Sequence, residues 1–106
     1  QLSDSLIRAS GRQYDPYWIN SDEYDELSEI ELSVYNQLFN EELGPGGWDN
    51  INKAHFGYIA DALDKCKFHG KRVLITYGAG HKGWFLRKLK EREDIQLKTL
   101  TELAPR

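Results

Sequence analysis

From Ser21 to Leu43 the apolar residues recur at steps of three and four, at Tyr24, Leu27, Ile30, Val34 and Leu38. That spacing predicts an amphipathic helix with these five side chains on its buried stripe. Asn20 followed by Glu23 has the spacing of a capping box, and Asp22, Glu23, Asp25 and Glu26 suit the positive end of the helix dipole. Gly44-Pro45-Gly46-Gly47 then ends the helix. A second helix is predicted from Asp49 to Cys66, with Asp49 as N-cap and Trp48, Ile51, His55, Ile59, Ala62 and Cys66 on its stripe.

The pattern then changes period. Val73-Leu74-Ile75-Thr76-Tyr77 is a short, continuous, β-branched-rich run, which predicts a strand covered on both faces. A helix follows from Lys82 to Arg92, with Phe85, Leu86 and Leu89 as its buried edge. Ile95, Leu97 and Thr99 alternate with Gln96 and Lys98, the pattern of an edge strand. The expected fold class is therefore α/β, two helices followed by a β-α-β unit whose strands run parallel through a right-handed crossover.

Two strands do not make a stable parallel sheet. The expected remedy is a partner chain, as in a homodimer, or a missing N-terminal half of a larger protein. Residues 1–20 read as an irregular segment, with Tyr14, Tyr17 and Trp18 anchoring a turn around Asp15-Pro16. Residues 21–106 read as a single α/β domain, the C-terminal portion of that larger protein.

Composition narrows the class without naming a function. With 106 residues, 40% hydrophobic and 29% charged, the chain suits one globular domain. It contains no apolar run long enough to span a membrane, and its first residues lack the order of a signal peptide. The lone Cys66 excludes an internal disulfide and reads as a buried structural thiol, which leaves both a cytoplasmic and an exported location open.

The net charge of −3 hides a division: residues 1–64 carry 13 acidic and 3 basic side chains, residues 65–106 carry 4 and 11. The basic residues are not interleaved with exposed aromatics, so a nucleic-acid partner is not expected. The eight carboxylates of the first helix mostly avoid its apolar stripe and read as a solvated face.

The candidate chemistry lies in Gly78-Ala79-Gly80-His81-Lys82-Gly83, which satisfies two patterns at once. As G-x-G-x-x-G after a strand and before a helix, it is a dinucleotide cradle binding phosphate at a helix N-terminus. Against that reading, Leu97-Lys98-Thr99-Leu100 supplies no acidic residue where a ribose would be held, and His81 and Lys82 occupy positions that such turns give to small residues. As G-x-x-H, the same letters present His81 beyond the carboxyl end of a strand. There Gly78 and Gly80 would allow a tight turn of unusual backbone angles, and helix-terminal N–H groups would keep the imidazole neutral. Lys82 would hold an anionic substrate group. His55, beside the apolar stripe of the preceding helix, is a further binding candidate, and His69 reads as a loop residue.

The phrase RVLITYGAGHKGWFLRKLKEREDIQLKTL, with the helix before it, resembles the C-terminal G-x-x-H segment of the TraB/Tiki superfamily, most closely its uncharacterised bacterial members. The resemblance spans roughly Trp48 to Leu100. It implies a metal-dependent hydrolase acting on a small-molecule or peptide substrate, with Gly78 and His81 as the second G-x-x-H and His81 as catalytic group or ligand to a divalent metal ion. The family's first G-x-x-H has no counterpart here, and its Arg-Asn pair is not reproduced, with Asn50, Asn52 and Lys53 the nearest candidates. On this reading the chain alone is expected to be inactive. The alternative is a non-catalytic phosphate-binding, nucleotide-binding or assembly module built on the same turn.

Overall fold

The computed structural model describes residues 8, 9, 11, 12, 14–65 and 70–105. Among them every regular element is helical. Helix α1 is a single turn, Pro16–Ile19; α2 is Asp22–Leu43; a 3-10 turn Gly44–Gly46 leads to α3, Trp48–Lys65; α4 is Ala79–Lys90 and α5 a last turn, Leu100–Leu103. None of these helices is long and apolar enough to cross a membrane.

The expected α/β class is thereby corrected to an all-helical arrangement. Val73–Tyr77 and Ile95–Thr99 form no ladder. The reason lies in the strand deficit itself: an extended run becomes a strand only where a neighbour answers its N–H and C=O groups. Neither run finds one among the described residues. Val73–Tyr77 is exposed along its length, with Leu74 at 84%. Ile95 and Leu97 do face inward as their alternation predicts, but they pack against helices.

The local signals at the helix starts are read differently by the chain. Asp15 caps α1 by accepting from the Tyr17 N–H at 2.9 Å, and Pro16 takes the first helical position, where its missing N–H costs nothing. Asn20 closes α1, donating from Nδ2 to the Pro16 carbonyl. Ser21, one residue later than expected, supplies the side-chain oxygen for α2 by accepting from the Tyr24 N–H. Glu23 instead accepts from the Arg12 guanidinium and the Trp18 indole, which buries Trp18 against α2.

The core is small and belongs mainly to α3 and α4. Ile59 and Leu63 meet Phe85 and Leu89, with Phe56, Trp84, Ile95 and Leu97 packed around them. Burial of each such side chain is worth about 1.5–3 kcal/mol. Leu63 takes the place expected for Ala62, which is exposed, while Cys66 and His69 lie outside the described residues. Arg92, just beyond α4, donates to Asp64 and Asp94 and fastens the end of α4 to α3.

Helix α2 has the predicted extent and the opposite orientation. Ile30, Val34 and Leu38, expected inside, are 54%, 52% and 62% exposed. The side it turns to the other helices carries Asp25, Ser28, Glu29, Leu32 and Asn36. Charge explains the inversion. Lys82 and Arg87 of α4 pair with Asp25 and Glu29 of α2, so the acidic half of the chain meets the basic half along one seam. Among the described residues nothing covers the apolar stripe at Ile30, Val34 and Leu38.

Candidate functional site

The site is built where the start of α3 meets the start of α4. Helix α4 begins at Ala79, three residues earlier than its sequence predicts, which places His81 in the first turn. The His81 N–H donates to the Gly78 carbonyl at 3.0 Å. Gly78 has φ −56° and ψ 137°, angles open to any residue, so the turn does not require glycine for backbone strain.

A Cβ on Gly78 or on Gly80 would make only ordinary contacts, with His81 and Trp48 respectively. The third glycine is the one the packing demands. A Cβ on Gly83 would lie 2.8 Å from Glu29 Oε1 and 3.3 Å from Asp25 Cβ, so Gly83 lets α4 approach α2.

Asn52 holds His81. It is fully buried, at 0% exposure, one turn into α3. Its Nδ2 donates to the Trp48 carbonyl at 2.9 Å, which fixes the amide so that Oδ1 faces α4. That oxygen lies 2.6 Å from His81 Nδ1 and can only accept, so Nδ1 carries the proton. In the neutral ring the lone pair is then on Nε2, which has no hydrogen-bond partner among the described residues.

Aromatic rings surround the imidazole. Trp48 stacks on it at 4.6 Å between centroids and Phe85 at 5.8 Å. His55 and Tyr77 approach edge-on at 5.8 and 5.9 Å. The Tyr77 hydroxyl lies 3.4 Å from His55 Nδ1. Burial first, and then the nearby His55, hold the His81 pKa below its ordinary 6.5. The neutrality expected of His81 thus has a cause in the aromatic enclosure, where the sequence pointed to the helix terminus.

Of the residues singled out in the sequence, the fold gathers His81, His55, Gly78 and Gly80. Lys82 is turned away from them. Its Nζ is 2.5 Å from Asp25 Oδ2, and both side chains are largely buried, so its charge is already matched. Burial raises the Asp25 pKa above its usual 3.8, against the opposing pull of Lys82.

An anion at the first turn of α4 would therefore find Lys82 engaged and two carboxylates packed on Gly83, an unfavourable setting for a phosphate cradle.

For a metal, His81 Nε2 is one suitable donor and His55 offers a second ring. No group of three His, Cys, Asp or Glu residues that could hold an ion occurs among the described residues. A catalytic zinc takes three protein ligands, so these residues by themselves do not fit one.

The residues that sequence reasoning undervalued are Asn52, Trp48 and Tyr77. Asn52 carried a legible signal: Trp48, Asn52, His55 and Ile59 follow steps of four, three and four, so a lone carboxamide sits on an apolar face. Such a group must find a partner. No protein-family model, curated protein or solved structure matches this chain.

Proposed function

We propose that the chain carries the histidine-bearing part of a hydrolase-type site of the TraB/Tiki kind, with His81 as its proton acceptor. The observation behind this reading is the Asn52–His81 hydrogen bond, which leaves the lone pair of a neutral imidazole on Nε2. A base of that kind takes a proton from a water molecule as the water's oxygen attacks an ester or amide carbonyl. The imidazole becomes imidazolium, and the Asn52 oxygen keeps the ring oriented through the change. Trp48, Phe85 and Tyr77 lower the local polarity around it. Further groups needed to bind the substrate and stabilise its oxyanion would come from outside the described residues. The described residues by themselves do not complete a catalytic zinc site.

The test is hydrolysis of a panel of activated esters and short peptides by the longest naturally expressed form of the polypeptide. His81→Ala should lower kcat/KM by about a hundredfold or more. Asn52→Asp should move the acidic limb of the pH profile upward, because a carboxylate favours the imidazolium. Full activity in His81→Ala would overturn the proposal.

A further inference from the structure

We propose that the outward face of α2 docks a basic amphipathic helix belonging to another protein. Ile30, Val34 and Leu38 stand four residues apart, which places them in one row along the helix, and each is more than half exposed. Tyr35 and Phe39 extend the row sideways, their rings 5.4 Å apart. From Ile30 to Leu38 the apolar row runs about 12 Å, the length of about two helical turns. The polar side of α2 is already engaged with α4, so this is the face left for a partner.

Charge selects the occupant. No Lys or Arg occurs between Arg12 and Lys53, so every ionic side chain that α2 presents is a carboxylate. Glu26, Glu31, Glu41 and Glu42 border the row and form no ion pair among the described residues. A second copy laid α2 against α2 would bring these carboxylates together in either direction, at a cost. Anionic lipid would be repelled likewise. A helix with apolar residues on one side and Lys or Arg along its edges meets both features at once.

The probe is a labelled synthetic helix of leucine and lysine at amphipathic spacing, titrated with the purified chain and followed by fluorescence anisotropy. Micromolar binding is expected, weakened about tenfold on raising the salt from about 50 to about 300 mM. Val34→Glu, at an exposed position that leaves the fold intact, should weaken it about tenfold or more. A leucine–glutamate helix should not bind.

Three results would overturn the proposal. Undiminished binding by Val34→Glu would mean bare charge attraction. A dimer of the chain that Val34→Glu dissociates would give the face to a second copy. Equal affinity for phosphatidylserine vesicles would give it to a membrane.

Discussion

The carboxamide oxygen of Asn52 lies 2.6 Å from His81 Nδ1, and the same carboxamide donates to the Trp48 carbonyl, so one buried residue sets both the orientation and the tautomer of the histidine. Asn52→Ala would leave the Nδ1–H without its acceptor in an enclosed aromatic setting. A loss of about 1–3 kcal/mol is expected in urea unfolding. Nitrogen-15 spectra should show His81 with the proton on Nδ1 in the wild type, and a mixture of tautomers in the variant.

The lowered pKa of His81 fixes the sign of a pH effect. Above about 6.5 the ring is neutral in both folded and unfolded chains, and it contributes no slope. Between that value and its lower folded pKa, the unfolded chain binds a proton that the folded chain refuses. Stability therefore falls as pH drops through this window and levels off below the folded pKa. Urea midpoints measured from about pH 7.5 to about pH 5 should show the fall, and His81→Gln should flatten it. His55→Ala should raise the His81 pKa only part of the way, because burial is the larger cause.

Gly83 tests the contact between α2 and α4. Alanine there would gain helix propensity and meet Asp25 Cβ at 3.3 Å and Glu29 Oε1 at 2.8 Å. The Glu29 carboxylate can swing aside, but Asp25 Cβ moves only with its helix. Crowding should therefore win, with Gly83→Ala losing about 1–2 kcal/mol by thermal unfolding. Glu29→Ala in the same chain should not restore it, because the contact with Asp25 Cβ remains and the ion pair with Arg87 is lost.

The absence of a ladder at Val73–Tyr77 has its own test. Leu74→Ala should change stability by no more than about 0.5 kcal/mol, as at an exposed position. Leu89→Ala, in the core, should cost about 2–5 kcal/mol. A comparable loss at Leu74 would show that the run is buried after all.

The extents of α2 and α3 were legible because three- and four-residue periodicity, glycine punctuation and early carboxylates all agreed. The orientation of α2 was not. Its apolar stripe predicts which residues share a face, but the face turned inward was decided by Lys82 and Arg87, more than forty residues further along the chain. The strands failed for a related reason. A β-branched run specifies a willingness to pair, and whether a neighbour is at hand is not written in Val73–Tyr77 itself.

In the site, Gly78, His81 and His55 were visible as chemistry-bearing letters. Asn52 was visible as one of three candidates for the Arg-Asn pair and as a polar residue out of place on an apolar face, and Gly83 only as the last letter of a pattern whose usual purpose it does not serve.

Helix α2 places no apolar side chain in the buried core and grips α4 through Asp25–Lys82 and Glu29–Arg87. It behaves as an arm held by an electrolyte-sensitive latch. Of its two clasps, Glu29–Arg87 is the more exposed and opens first as ions accumulate, while the shielded Asp25–Lys82 keeps its hold. Loosening this seam would leave the Ile59–Leu63–Phe85–Leu89 cluster whole, with Asn36 still donating to Asp49 at the head of α3.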